Sequence, residues 1–135
     1  MLPFLLTVAA LLAPVAPAQI IAPYRPPASA YGPGHRGLDL AATVRQPVIS
    51  PLDGVVAFVG TVNDRSVVSI RNGAMVVSLE PVDAVVAIGS HVDAGAPIGI
   101  TGIGGHCSLR CIHIGVRVNG AYVDPLLSRR RLLRY

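Results

Sequence analysis

The feature that most constrains the fold is a series of short, valine-rich runs separated by turn residues. From Arg36 to Asp124, apolar runs alternate with Gly, Asn, Asp and Pro, a pattern typical of β-strands joined by tight turns. The segment has no apolar period of 3.6 residues that would indicate a helix of ordinary length. The 135 residues therefore predict one all-β domain.

Two Asn-Gly pairs locate the clearest hairpins. Turns are predicted at Asn72–Gly73 and at Asn119–Gly120, because a type I′ turn needs positive φ at both central residues and Asn-Gly adopts it readily. Side chains alternate between the two faces of a strand. His113 is therefore expected on the face opposite the apolar residues of its strand, and Glu80 on the polar face of the earlier hairpin.

The first 18 residues predict a secretory signal peptide. They carry no charged side chain, hold an apolar run from Phe4 to Leu12, and end in the small-residue pattern Ala16-Pro17-Ala18. A membrane anchor is the alternative, but the apolar run is short for a transmembrane helix. The mature protein is therefore expected outside the cytoplasm, with no stable membrane span after signal cleavage.

The chain is expected to comprise a signal peptide (1–18), a proline-rich lead-in (19–30), the folded domain (31–127) and a basic tail (128–135). Recurring Pro and Gly predict that the lead-in is extended rather than a regular element. The tail could lie on anionic wall polymer or membrane headgroups, or it could be a solvated C-terminus. The net charge of +4 is modest, and arginines are not interleaved with aromatics, so nucleic acid is not an expected partner.

The segment "GHRGLDL" carries the residue types of a metal site, although taken alone it could also be a solvated histidine beside an aspartate at the start of a strand. His35 and Asp39 are four residues apart, and the leucines flanking Asp39 should turn its carboxylate outward. Histidine and aspartate are zinc ligands, and three protein ligands leave one position open for water in a catalytic site. His113 is the best third ligand because it faces away from the core. His106, in a glycine-rich loop, could support the site or contact substrate, or it could be an ordinary loop histidine.

The two cysteines, Cys107 and Cys111, lie in "HCSLRCIHIG" beside His113. They could form a disulfide, ligate a closed structural zinc centre, or remain free thiols. Cys111 could instead be a nucleophile with His113 as its base. Export to an oxidising compartment favours the disulfide. Such a clip would contribute about 2 kcal/mol through chain entropy and would rigidify the loop that leads into His113.

Four segments in order resemble the lysostaphin/LytM-type zinc metallopeptidases, bacterial endopeptidases that cut peptide cross-links in peptidoglycan. The segments are "GHRGLDL", "GVVAFVG", "GSHVDAGAPIGITG" and "CIHIGVRVNGAYVDP", and the resemblance covers roughly residues 31 to 127. It implies a small antiparallel β-sheet fold with an open metal groove. It also implies Zn²⁺ as the cofactor, with His35, Asp39 and His113 as its ligands.

Two departures from the family pattern affect residues that assist catalysis. Cys111 stands where the family has the first histidine of H-x-H, and Glu80 aligns with a second supporting histidine. Glu80 is the only glutamate in the chain, and a carboxylate can serve as a general base. Glu80, alone or with His106, is therefore the predicted catalytic acid–base group.

The resemblance implies a secreted zinc metalloendopeptidase of the cell wall that acts on peptidoglycan cross-links, with a metal-bound water as the nucleophile. The missing histidines motivate a second hypothesis, a non-catalytic peptidoglycan-binding or regulatory module on the same fold. Peptidoglycan is the expected partner under both hypotheses.

Overall fold

In the computed structural model, which describes residues 11–26 and 34–128, antiparallel strands account for nearly all regular structure. The predicted all-β class is thereby confirmed. One 3₁₀ turn, Pro125–Ser128, follows the last strand, and no helix of the described residues is long and apolar enough to cross a membrane. The strands are β1 (Ile20–Ala22), β2 (Leu38–Ala41), β3 (Pro47–Ile49), β4 (Gly54–Val62), β5 (Arg65–Asn72), β6 (Met75–Glu80), β7 (Val82–Ala84), β8 (His91–Val92), β9 (Pro97–Thr101), β10 (Cys111–Val118) and β11 (Ala121–Val123).

Strand β10 lies at the centre of the larger of two sheets. The order of that sheet is β1-β2-β10-β6-β5-β4-β8, and β11 also pairs with β10; the smaller sheet has the order β3-β9-β7. One edge of β10 bonds to β2 through residues 111–114 and to β11 through residues 116–118, and its other edge bonds to β6. A side chain on β10 is therefore flanked by neighbouring strands on both sides.

Period-two alternation assigns one face of these strands to the core. Ile112 and Ile114 of β10, Leu79 of β6, and Leu38 and Leu40 of β2 are all fully buried, and apolar burial is the main favourable term in folding. Because residues next to a core residue on a strand point the other way, the opposite face carries the polar side chains of β2, β6 and β10.

Both predicted hairpins are present, but only one turns at its Asn-Gly pair. Asn119–Gly120 forms the predicted turn, with φ of 52° and 83°. In the other hairpin Asn72 pairs with Met75, so the turn residues are Gly73–Ala74, and only the glycine has positive φ (59°). The predicted Asn72–Gly73 turn is wrong by one residue. The register places Met75 inward with the other buried side chains of β6, and glycine at the first turn position suits a type II′ hairpin.

Residues 11–18, which belong to the predicted signal peptide, pack against the domain. Leu11, Ala13 and Val15 are buried, and the Ile49 amide donates a hydrogen bond to the Pro14 carbonyl at 3.0 Å. Residues 1–10 lie outside the described residues. The signal peptide and its cleavage stay predictions.

The predicted lead-in contains a short strand, so the prediction of an extended segment without a regular element is wrong there. Ile20 pairs with Leu40 and Ala22 with Asp39, so β1 covers the free edge of β2. An isoleucine pair starts this strand, and β-branched residues suit a pleated, half-buried edge. Arg129–Tyr135 of the predicted basic tail lie outside the described residues.

Candidate metal centre

Three polar side chains form a row across the central strands. His113 of β10 pairs with Asp39 of β2 on one side and with Glu80 of β6 on the other. Residues directly opposite each other on neighbouring strands share a face of the sheet. Asp39 is the most deeply buried of the row, with its side chain 6% exposed against 17% for His113. The structure therefore brings together Asp39 and His113, two of the predicted metal ligands, and Glu80, the predicted base, lies beside them.

The His113 ring contacts Asp39 directly. His113 Nδ1 lies 2.7 Å from Asp39 Oδ1. The other side of the ring is close to Gly37, where an added Cβ would lie 2.6 Å from His113 Nε2 and 2.3 Å from the Ile114 carbonyl oxygen. Glycine at position 37 thus lets the chain pass close enough to hold the ring against the carboxylate.

His35 completes the predicted ligand set from the segment just before β2. Its Nδ1 lies 2.8 Å from the Pro23 carbonyl oxygen, which can only accept, so this nitrogen carries the proton and Nε2 of the neutral ring has the lone pair. His35 Nε2 lies 3.2 Å from Asp39 Oδ1 without hydrogen-bond geometry. Among the described residues it is the buried side-chain polar atom without a hydrogen-bond partner.

This donor set fits a zinc ion. Metal-bound histidines usually donate their other ring N–H to a carbonyl or carboxylate, which fixes the tautomer, and Pro23 accepts that bond from His35. His35 Nε2, Asp39 Oδ1 and His113 Nδ1 converge on one point, and nitrogen and carboxylate oxygen are usual zinc donors. A buried, unpartnered lone pair is costly, and a bound metal would remove that cost.

His106 reaches the same carboxylate from the loop between β9 and β10. His106 Nε2 lies 2.8 Å from Asp39 Oδ2, and its side chain is 52% exposed. The other two histidines approach Oδ1, so the carboxylate oxygens are divided between the strand side and the loop side. One donor atom from each of His35, Asp39, His106 and His113 lies within 4.8 Å of every other.

The charge state of Asp39 reflects two opposing effects. Burial by itself raises the pKa of Asp39, but the hydrogen bonds from His113 and His106 and the charge on both rings lower it more. The net result is a pKa of Asp39 below its ordinary value of 3.8. The carboxylate is therefore ionised at neutral pH, as a metal ligand must be.

The loop that carries His106 is anchored at both ends. The Gly105 amide donates to Asp64 Oδ2 at 3.2 Å, which ties the start of the loop to the turn between β4 and β5. The predicted Cys107–Cys111 disulfide is present in the structure and closes the other end. The loop therefore presents His106 from a clipped turn next to β10.

The side chains at the two positions that depart from the family pattern already have bonding partners. Cys111 is buried and bonded to Cys107, so it has no proton to transfer. Glu80 Oε2 accepts a hydrogen bond from Arg65 Nε at 3.0 Å, and this pair lies near the loop start, since a Cβ added at Gly105 would lie 3.2 Å from Arg65 Cδ. Arg65 was not singled out from the sequence, because no spacing or motif linked it to the site.

The model of peptidase family M23 matches residues 33–125 of this chain. The chain belongs to peptidase family M23. The resemblance drawn from the four sequence segments is thereby confirmed.

Relatives and solved structures agree with this M23 membership. An uncharacterised protein of Mycobacterium tuberculosis is 41% identical over 103 residues, which cover 71% of this chain and 41% of the relative. The chain thus spans about two fifths of that relative's length. A zinc-containing peptidase from Vibrio cholerae superposes with a TM-score of 0.75 at 25% identity, over 87% of this chain and 40% of that one. Lysostaphin superposes with a TM-score of 0.71 at 20% identity, over 89% and 54%, and this likeness shows the shared fold.

Proposed function

We propose that this M23 protein is a zinc-dependent endopeptidase that acts outside the cytoplasm on the peptide cross-links of peptidoglycan. The observation that carries the proposal is the buried Nε2 of His35, which has no hydrogen-bond partner within residues 11–26 and 34–128 and lies with His113 Nδ1 next to Asp39 Oδ1. Family membership supports the reaction class, and the predicted signal peptide (1–18) supports a location in the cell wall. Contact of the basic tail with anionic polymer stays a prediction.

His35, Asp39 and His113 would hold the ion. Bound Zn²⁺ supplies a Lewis acid that polarises a scissile carbonyl and lowers the pKa of water. The chain contributes the orientation: the Pro23 carbonyl holds the His35 tautomer, and Gly37 leaves room for the His113 ring. Both histidine side chains are less than one fifth exposed, so the donors stay in place while a substrate approaches from the open side of the sheet.

His106 is the proposed acid–base residue. It is half exposed, an imidazole can serve as a general acid or base, and Asp39 Oδ2 holds its Nε2 at 2.8 Å. Such proton transfer typically contributes a factor of about 100 to 10,000 to the rate. Glu80 is the second proposed acid–base residue, and its Oε2 already accepts a hydrogen bond from Arg65.

The competing function is a non-catalytic peptidoglycan-binding or regulatory module. A specific observation favours it: the cysteine at one supporting position is in a disulfide, and the glutamate at the other is paired with an arginine. In that case His106 would only orient Asp39.

The decisive experiment measures zinc content and peptidoglycan digestion with the full chain. We expect about one zinc per chain and a rise in free amino groups when purified peptidoglycan is digested. Asp39→Ala should abolish both. His91→Ala is the matched control, because His91 is exposed and paired with Asp93, away from the site. Binding of peptidoglycan with no release of amino groups by the zinc-loaded wild type would contradict the peptidase and support the binding module.

A further inference from the structure

We propose that the Cys107–Cys111 disulfide conceals a second zinc site, which forms when the disulfide is reduced. The donors of this site are Asp39, His106, Cys107 and Cys111, and it is called the thiolate site below. It is a different set from the proposed peptidase site, although the two sets share Asp39.

The donor atoms of the thiolate site are already close together. The two sulfurs, one nitrogen of His106 and one oxygen of Asp39 all lie within 4.8 Å of one another. Both cysteines are buried, with only 2% and 3% of their surface exposed. Two thiolates, an imidazole and a carboxylate form a four-donor set of the kind that closes structural zinc centres.

Backbone hydrogen bonds, and not only the disulfide, keep the sulfurs adjacent. The amides of Arg110 and Cys111 both donate to the Cys107 carbonyl, at 2.8 and 3.0 Å. These bonds form a closed turn, and β10 begins at Cys111. Because these bonds do not involve the sulfurs, we expect the turn to persist after the S–S bond is cleaved and to keep both thiols close enough to bind one ion.

The chemistry is a two-electron reduction followed by metal binding. A dithiol reductant transfers two electrons and two protons to the S–S bond and becomes a cyclic disulfide, which leaves two thiols in the protein. Zn²⁺ then displaces the two thiol protons to solvent and binds both thiolates. Thiolate ligands favour zinc over harder divalent ions, so the reduced loop offers a strong competing set of donors.

The shared carboxylate couples the two sites. An ion held by both thiolates engages Asp39 and His106, and it removes from the peptidase site one ligand and the group proposed to transfer protons. The oxidised loop thus leaves the ligands of the proposed peptidase site available, whereas reduction moves the ion into a closed centre. The existence of the thiolate site does not depend on peptidase activity.

The test uses the full chain reduced with dithiothreitol, freed of reductant without oxygen, and titrated with Co²⁺. A thiolate-to-cobalt charge-transfer band is expected in reduced wild type and in no oxidised sample. The Cys107→Ser/Cys111→Ser variant should lack the band under both conditions. Absence of the band in reduced protein, or failure of the folded protein to show free thiols after reduction, would overturn the proposal.

A second variant separates this inference from the proposed function. His35→Ala/His113→Ala removes two peptidase-site ligands and retains all four donors of the thiolate site. We expect this variant to bind about one zinc per chain after reduction and none when oxidised. Zinc binding equal in both redox states would contradict the thiolate site. Failure of the peptidase alone would appear as an inactive but zinc-loaded wild type, with the cobalt result unchanged.

Discussion

The site has a strand-held group, His35, Asp39 and His113, and a loop-held group, His106, Cys107 and Cys111. The strand-held side chains are mostly buried, and the register of β2 and β10 positions Asp39 and His113. The Arg25–His35 bridge and the Pro23 carbonyl position His35 just before β2. In the loop-held group the histidine is half exposed, and its position depends on a disulfide and on contacts with the β4–β5 turn. The difference teaches that strand pairing positions the proposed metal donors, whereas a clipped loop positions the additional histidine that reaches them.

The two groups meet at a single carboxylate. The histidines of the strand-held group approach Oδ1 of Asp39, and the loop histidine lies at Oδ2. Under the proposed function, this division assigns two histidines to metal binding and one to proton transfer. Each prediction below tests whether the division holds.

The largest expected effect is a difference in zinc affinity between His35→Ala and His106→Ala. We expect His35→Ala to lower zinc affinity by more than about 100-fold, beyond the usual range for residues that only support a ligand. His106→Ala should keep the zinc and lose about 100-fold in peptidoglycan hydrolysis, as expected for a lost acid–base group. Competition with a chromogenic chelator and an amino-group assay measure the two quantities. Equal loss of zinc from both variants would indicate that His106 is a fourth zinc ligand. The proposed separation of metal binding from proton transfer would then be wrong.

A smaller effect is expected when the loop is unclipped. Cys107→Ala/Cys111→Ala should keep zinc bound by the strand-held group and lower hydrolysis by about tenfold, because His106 is held less firmly against Asp39. The free energy of unfolding should fall by about 2 kcal/mol from lost chain constraint. Denaturant unfolding and the digestion assay provide the readouts. Unchanged hydrolysis with the expected stability loss would mean that the backbone turn alone positions the histidine.

The smallest effect is expected for Glu80→Gln. The Arg65–Glu80 pair is partly exposed, and such pairs contribute up to about 1 kcal/mol, so stability should change little. If His106 transfers the proton, hydrolysis by Glu80→Gln should remain within about twofold of wild type. A loss of about 100-fold with zinc retained would instead identify Glu80 as the base. Arg65→Gln is the matched control, because it breaks the same ion pair and leaves the carboxylate free.

Much of the strand-held group was predictable from the sequence. The alternation of leucines around Asp39 and of isoleucines around His113 indicated that both polar side chains face away from the core, and the burial of those apolar neighbours agrees. The Asn119–Gly120 turn was also predictable, because its conformation depends on the two residues themselves. The Asn72–Gly73 turn was not, since the inward packing of β6 shifted the hairpin by one residue.

The contacts of the loop-held group could not be predicted from local sequence patterns. A glycine-rich loop has no periodic pattern from which the orientation of a histidine side chain can be predicted, so the sequence left the role of His106 open. Glu80 pairs with Arg65, a residue of a neighbouring strand. The spacing of the two residues along the chain does not indicate this contact. The bond from His35 to the Pro23 carbonyl likewise depends on how β1 lies beside β2.

By itself, the sequence determined the all-β class, the outward face of Asp39 and His113, and the family, because each follows from order and alternation along the chain. Only the tertiary structure decided that His106 shares the Asp39 carboxylate and that Glu80 is held by Arg65. It also decided that His35 Nε2 is buried with no hydrogen-bond partner among the described residues. The first two facts are contacts between side chains from separate elements, and the third depends on how the segment before β2 packs. They arise when apolar burial brings the strands together, and only then does hydrogen bonding select among the polar groups that meet.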